Sequence, residues 1–377
     1  MRTLTPHELE QGMIVAEAVK TPSGQILATP GSEVTRQLIN RMKLYRVDFA
    51  VVEGEAFAEA SSSSEATPVE KPEPAPVPKT YIQETKTVKQ KVASSDAFRS
   101  FQLQYYMILE DLKVVFNEII NENKPLQQDA LVEKVATLFR TRNTIIELFD
   151  MLNNMRALDD SVYAHSLNVA LISRMLGRWL KLDSHNLDVL TCAGLFHDIG
   201  KVLIPEEVLN KSGKLTDEEF ELVKSHPKKG YDILKPQNID PHIKKAALMH
   251  HERCDGSGYP SGLDEDLIDE YAMIVGIADV YDAMTAARSY RAPLCAFQVI
   301  SNFEKDGYQK YHAKYITTFL KQIAATYQSN RVVLSDGRGC NIVMLNQNAL
   351  SRPMVQFDDN TILDLSTQRE LYIKSVL

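Results

Sequence analysis

The chain has 377 residues, 44% of them apolar and 24% charged, so it is long enough for two or three domains with a sizeable core. Its net charge of −8 argues against a general nucleic-acid-binding protein, which would need a basic surface. Four dispersed cysteines without a CxxC pair disfavour a disulfide framework and a thiolate zinc site, and suit a reducing cytoplasm.

Residues 1–54 are predicted to form a small α+β accessory domain. Short strands are expected at Met13–Val19, Gln25–Leu27 and Val47–Val52, with a helix over Val34–Met42. The N-terminus lacks the apolar core of a signal peptide, and no apolar run is long enough to span a bilayer. We therefore expect a cytoplasmic protein without a membrane segment.

The next two segments differ sharply in composition. Residues 55–94 are rich in Pro, Ser and Ala and hold too few large apolar residues to pack, which predicts a disordered linker. Over 95–156 apolar residues recur at helical spacing, which predicts a helical lead-in that can also form a homodimer.

The rest of the chain is predicted to be helical over 157–328 and β-rich over 329–377. Thr216 and Glu219 form a capping box at the start of one of the helices. Three strands are expected in the C-terminal extension, at Arg331–Leu334, Asn341–Leu345 and Met354–Phe357.

Five histidines stand at the beginnings or ends of predicted helices within the segment 157–328. They are His165, His197, His226, His250 and His251. A lone histidine at a helix end is usually a cap or a surface residue, but here two are adjacent and Asp198 directly follows another. Together they indicate a metal site.

Imidazole and carboxylate ligands without thiolates suit iron, manganese or another first-row divalent ion. A carboxylate such as Asp198 can bridge two ions, which can then share a hydroxide and clamp the attacking and leaving oxygens of a phosphodiester. Lys201 stands three residues further on and is placed to stabilise the charge that grows on phosphorus-bound oxygen.

These motifs resemble a known family. His197-Asp198 with the distant Asp279 resembles the HD superfamily of metal-dependent phosphohydrolases. The runs 197–201 and 250–260, with 277–285 and the following Arg288-Ser289-Tyr290-Arg291, resemble its HD-GYP subfamily. The resemblance covers about residues 160–325 and implies a mainly α protein. Its HD-type helical catalytic domain is flanked by the small N-terminal α+β module and the small C-terminal β appendage.

The resemblance also implies a cyclic-di-GMP phosphodiesterase that gives pGpG, and then GMP, through a metal-bridging hydroxide at a two-metal site. One metal would be held by His165, His197, Asp198 and Asp279. The other would be held by Asp198, His226, His250 and His251. The substrate would meet Lys201, Arg288, Arg291, Tyr259 and Gly258.

One position departs from the pattern of family members with a third metal. Where those proteins carry a Glu, this chain has Ser161, so we expect two ions, with a third recruited by Asp160 as the alternative.

Two rival interpretations stay open. One is an HD-type hydrolase of another nucleotide. The other is a non-catalytic module that senses cyclic-di-GMP or docks a diguanylate cyclase.

Overall fold

The structure is a computed structural model, and the fold is mainly α-helical with small sheets, as predicted. It describes residues 1–6, 8–10, 12–20, 26–35, 38–39, 42, 47, 49–52, 95–140, 145–155, 161–211, 213–286 and 293–377. The chain divides into two compact units, Met1–Thr80 and Tyr81–Leu377. The predicted linker, 55–94, lies outside the described residues.

The described residues of the first unit form two small antiparallel sheets. Strand β1 (Arg2–Leu4) pairs with β4 (Ala50–Val52), and β2 (Val19–Lys20) pairs with β3 (Ile26–Ala28). The predicted strand over Met13–Val19 is wrong except at its last residue, Val19, which belongs to β2. In this stretch Ile14 and Val15 form isolated bridges to two different segments, so no continuous ladder develops.

The second unit is built from twelve described α-helices followed by a sheet. Their bounds are α1 Asp96–Asn121, α2 Gln128–Arg140, α3 Ile145–Met155, α4 Val162–Trp179, α5 Ser184–Phe196, α6 Glu206–Leu209, α7 Asp217–Lys224, α8 His226–Leu234, α9 Pro241–Met249, α10 Glu270–Thr285, α11 Ala296–Lys310 and α12 Ala313–Thr326. Within the described part of the chain, none of them is both long and apolar enough to cross a bilayer.

Polar caps set where the helices begin. The capping box is confirmed, since the Thr216 hydroxyl accepts from the Glu219 N–H and the Glu219 carboxylate accepts from the Thr216 N–H. The Ser161 hydroxyl accepts from the Ala164 N–H and so caps α4. Because α4 and α5 are buried along most of their length, they form the centre of the core.

A five-stranded antiparallel sheet follows α12. Its strands are β5 Arg331–Leu334, β6 Gly339–Met344, β7 Met354–Gln356, β8 Ile362–Asp364 and β9 Ile373–Val376. Their order in the sheet is β8-β7-β6-β5-β9. The three predicted strands are present. The two edge strands, β8 and β9, were not predicted, and the burial along each of them barely alternates.

The helical lead-in is tied to α4 through a buried tyrosine. The Tyr105 hydroxyl on α1 donates to Asn168 Oδ1 on α4 at 2.8 Å and lies 3.2 Å from the carbonyl oxygen of Ala164. Since Ala164 directly precedes His165, this contact fixes the first turn of α4, where the site begins.

Replacing Tyr105 with Phe should therefore lower the free energy of unfolding by about 1–2 kcal/mol, because a buried acceptor loses its donor. Denaturant unfolding of the purified protein measures this. Tyr308→Phe is the control, since that side chain is 50% exposed and should unfold like the parent. Equal stability of the two variants would contradict the assigned role.

Candidate metal centre

The helices bring the seven predicted ligands to one place. His165 lies in the first turn of α4, and Asp279 lies on α10. The other five stand at helix ends, which are His197 and Asp198 after α5, His226 at the start of α8, and His250 and His251 after α9.

These residues form two groups. Within each group, the candidate ligand atoms lie within 4.8 Å of one another. The first group is His165, His197 and Asp279, and the second is Asp198, His226, His250 and His251.

Asp198 lies between the two groups, and its two carboxylate oxygens face different histidines. Oδ2 is 3.4 Å from His165 Nε2 and 3.3 Å from His197 Nε2. Oδ1 is 3.2 Å from His226 Nε2 and 3.6 Å from His250 Nε2. The side chain of Asp198 is fully buried. One carboxylate therefore connects the two histidine sets, one oxygen to each.

Backbone carbonyls orient three of the imidazoles. His197 Nδ1 donates to the Gly194 carbonyl at 2.8 Å, and His226 Nδ1 donates to that of Val223 at 2.6 Å. His250 Nδ1 lies 3.0 Å from the carbonyl oxygen of Ala246. Because each ring directs Nδ1 outward to a carbonyl oxygen, each ring directs Nε2 inward toward Asp198.

This inward arrangement of Nε2 atoms suits a metal cation. His226 Nε2 and His250 Nε2 are 3.2 Å apart, and burial lowers the pKa of His250 to about 4, which keeps that ring neutral. His197 Nε2 and Asp198 Oδ1 are buried and make no hydrogen bond. Buried polar atoms without partners are costly. A metal ion that accepts these lone pairs would remove the cost, so the donor set fits a divalent metal.

His165 is held differently from the other histidines, by two carboxylates one turn apart on α10. Its Nε2 is 3.0 Å from Asp279 Oδ1, and its Nδ1 is 2.8 Å from Asp282 Oδ2. Burial lowers the pKa of His165, but the hydrogen bonds to Asp279 and Asp282 outweigh it and raise the pKa to about 9. Without metal, His165 therefore carries the proton that a metal ion at Nε2 must displace.

Asp198 also stays ionised. Burial favours its neutral form, but the neighbouring His197 and Lys201 hold the pKa of Asp198 well below its usual range. Lys201 Nζ donates to Asp198 Oδ2 at 2.5 Å.

A glycine allows the two halves of the site to approach each other. A Cβ at Gly200 would collide with the backbone carbonyl of His226 and the backbone nitrogen of Gly230. The turn after Asp198 can therefore lie directly on α8, beside His226.

The loop after His251 is closed by Glu252. Its buried carboxylate accepts from the backbone N–H of Ser261 at 2.7 Å and of Leu263 at 3.0 Å. A Cβ at Gly258 would collide with the backbone of Glu252 and Arg253, so this loop also needs a glycine. The result is that the Tyr259 ring stacks on His251, with centroids 4.6 Å apart and planes at 25°.

The site is open on one side. Among the seven candidate ligands only His165 and His251 have side chains more than a tenth exposed, at 11% and 15%. Lys201, at 19%, is also partly exposed. A substrate would approach past these three residues.

Three of the predicted residues cannot be compared with the structure, and one set of contacts was not predicted from the sequence. Arg288, Arg291 and Asp160 lie outside the described residues. The carbonyl partners of the histidines were not predicted. Their sequence signal is a histidine placed at or just after a helix end, from which Nδ1 reaches a carbonyl three or four residues back.

Comparison with known proteins identifies the family of this chain. Residues 127–314 match the HD domain family. The chain belongs to the HD-domain family. Its resemblance to the HD-GYP subfamily is confirmed. HD phosphohydrolases are metal-dependent, and the His/Asp cluster of this HD domain could hold metal.

Several relatives of this HD-domain protein have named activities. A cyclic di-GMP phosphodiesterase of Pseudomonas aeruginosa is 33% identical over 230 residues, 60% of this chain and 54% of the relative. A cyclic di-GMP phosphodiesterase of Thermotoga maritima is 35% identical over 199 residues, 51% of this chain and 53% of the relative. The 3'3'-cGAMP-specific phosphodiesterase 2 of Vibrio cholerae is 36% identical over 164 residues, 43% and 31% of the two chains. The chain spans about half the length of the first two.

The affinity for metal should rise with pH. Because a proton with a pKa of about 9 must leave His165, the apparent Kd for Mn²⁺ should fall by about 10-fold per pH unit between pH 6.5 and 8.5, with one proton released. His250, with a pKa of about 4, is already neutral there. Titration calorimetry in two buffers of different ionisation enthalpy counts the protons. A pH-independent affinity without proton release would refute this assignment.

Gly258→Ala should lower the free energy of unfolding by about 1–3 kcal/mol, because the added methyl group overlaps the backbone of Glu252. Gly213→Ala is the matched control, since a Cβ at Gly213 meets open space, and it should be neutral or slightly stabilising. Thermal and denaturant unfolding of both variants test this. A Gly258→Ala protein as stable as the control would show that the loop does not need the close approach.

Proposed function

We propose that this HD-domain protein is a metal-dependent phosphodiesterase that hydrolyses cyclic-di-GMP to pGpG, and pGpG further to GMP. The proposal rests on the orientation of the Asp198 carboxylate. One of its oxygens faces His165 and His197, and the other faces His226 and His250. A carboxylate in that position suits a pair of cations, and paired cations suit phosphodiester hydrolysis.

Two divalent ions, iron or manganese, would occupy the site. One would be held by His165, His197, Asp198 and Asp279, and the other by Asp198, His226, His250 and His251. When bound, such ions polarise a phosphoryl oxygen and make water a better nucleophile at neutral pH. Ser161 already uses its hydroxyl to cap α4, which favours two ions over three.

Lys201 would bind the scissile phosphate. Its ammonium group pairs with Asp198 Oδ2. Cations beside Asp198 would repel this ammonium group and satisfy the carboxylate in its place. Its partly exposed position lets it turn to the phosphate of an arriving substrate, where it would stabilise the charge that develops.

Asp282 and the loop beside His251 would position the other groups. Asp282 orients His165 through Nδ1, and Gly258 lets Tyr259 lie flat against His251 at the open side of the site. We propose the residues Arg288 and Arg291, on the strength of the sequence motif alone, as further contacts to the substrate.

A second candidate is a different cyclic dinucleotide. It is supported by the similarity to the Vibrio cholerae enzyme named as specific for 3'3'-cGAMP. Cyclic-di-GMP is preferred because two other relatives of comparable identity carry that substrate in their names.

A homodimer through the helical lead-in is part of the proposal. The outer face of α1 exposes Leu103, Met107 and Val114, at 64%, 57% and 57%. Exposed apolar side chains along one helix face are typical of a helix that packs on a partner. Docking of a diguanylate cyclase stays a prediction from the sequence.

Product analysis on cyclic-di-GMP, with metal content measured on the same sample, tests the proposal. The protein loaded with Mn²⁺, or with Fe²⁺ under anaerobic conditions, should form pGpG and then GMP, and chelation should abolish turnover. Tight nucleotide binding without product over hours would instead establish a sensor. Faster turnover of 3'3'-cGAMP would favour the second candidate.

Asp198→Asn should reduce kcat by about 10³-fold or more, because the amide cannot serve two cations with two anionic oxygens. Bound metal should fall on the same sample. Asp255→Asn is the control for the same chemical change, since that carboxylate lies in the loop after His251 and accepts from Ser257, and it should keep metal and turnover. An active, fully metallated Asp198→Asn protein would defeat the two-metal assignment.

A further inference from the structure

An exposed aromatic side chain and a partly exposed lysine stand beside the metal centre. Phe220 and Lys224 lie one turn apart on α7, the helix that directly precedes His226. Phe220 is 52% exposed. The Lys224 ammonium lies 5.6 Å from the centroid of the Phe220 ring and 5.6 Å from that of the Tyr259 ring.

These contacts form a continuous path to the candidate ligands. Tyr259 stacks on His251, Lys224 lies within cation–π range of Tyr259, and the same ammonium lies within that range of Phe220. We call Phe220, Lys224 and Tyr259 the base edge. It extends from the open side of the metal centre to an aromatic ring in solvent.

Packing does not account for the base edge. No residue of helix α7 is fully buried, and Phe220 is not part of the hydrophobic core. Lys224 pairs with Glu221, but the Glu221 side chain is 68% exposed, and such surface pairs stabilise a protein little. The ammonium can therefore exchange Glu221 for another acceptor at low cost.

The chemistry of the base edge matches a guanine. Every nucleobase offers a flat face that stacks on an aromatic ring. Guanine presents two acceptors, O6 and N7, on one edge, and a lysine ammonium donates to both, whereas adenine places an amino donor at the position of O6.

We propose that Phe220 stacks on one base of the cyclic dinucleotide and that Lys224 donates to O6 and N7 of a guanine. Lys224 then determines the preference for guanine over adenine. This inference rests on the proposed cyclic-dinucleotide phosphodiesterase activity and names two residues of its substrate recognition.

The test measures kcat and KM for cyclic-di-GMP, 3'3'-cGAMP and cyclic-di-AMP with the metal-loaded full chain. Phe220→Ala should raise KM for cyclic-di-GMP about 10-fold or more, with kcat within about 2-fold, and Phe220→Trp should restore KM. Lys224→Met, which keeps the aliphatic stem, should reduce the preference for cyclic-di-GMP over cyclic-di-AMP by about 10-fold.

Two control variants match the exposed ring and the paired lysine. Tyr308→Ala removes a half-exposed aromatic ring from α11. Lys228→Met removes a lysine that pairs with Asp232 and lies 5.5 Å from the Tyr231 ring, and therefore copies the surroundings of Lys224 on the next helix. Both controls should retain the parent constants and the parent order of substrates.

Three results would overturn the inference. If the Phe220 and Lys224 variants behave like the controls, the base edge takes no part in substrate recognition. A Lys224→Met protein that loses the same factor on all three nucleotides would assign Lys224 to a phosphate or to loop structure. A Phe220→Ala protein that loses kcat and metal, with KM unchanged, would make Phe220 structural. Failure of the proposed function looks different, because the parent protein itself would then hydrolyse none of the three nucleotides, and the inference would fall with it.

Discussion

Four histidines of the second unit are arranged around one buried carboxylate, that of Asp198. Asp198 is closed off from solvent, and each of its oxygens faces two imidazole nitrogens from different helices. Around it, the Nδ1 atoms of His197, His226 and His250 are committed to backbone carbonyls. Their Nε2 atoms therefore converge on a buried carboxylate, which gathers nitrogen and oxygen ligands suited to a metal cation in one place. The electrostatic demand of this arrangement is the physical reason for a metal centre here.

The fold maintains that arrangement because most of the ligands are attached to helix ends and the helices are fixed by a continuous core. His197 and Asp198 follow α5, His226 begins α8, and His250 ends α9, so a small change in a helix axis would move a ligand. Two supports lie just outside this set. Gly200 lets the turn after Asp198 meet α8, and Tyr105 ties α1 to the turn that carries His165. The side that stays open is bordered by His165, His251 and Lys201, which is where chemistry on a phosphodiester would have to occur.

Much of the fold and of the metal centre could be predicted from the sequence. The features that could not be predicted have different physical reasons. Histidines at helix ends and the His-Asp pair predicted a metal site formed by Asp198 with His165, His197, His226, His250 and His251, and the family resemblance added Asp279. Residue spacing carries no information on which oxygen of Asp198 faces which ring, because this depends on side-chain torsions in the folded core. Glu252 shows the same limit, since its two backbone donors lie nine and eleven residues away. In the first unit, Ile14 and Val15 have strand-like composition, but their partners lie in two separate segments, so a local pattern predicted a strand that does not form.

The bridging position of Asp198 is tested most directly by a crystal structure of the Mn²⁺-loaded protein, with anomalous diffraction recorded at the manganese edge. Two anomalous peaks are expected, about 3.5–4 Å apart, one on each side of Asp198 and each bound by a different one of its oxygens. A single peak, or two peaks that both lie on the same oxygen of Asp198 or away from it, would contradict the two-metal centre.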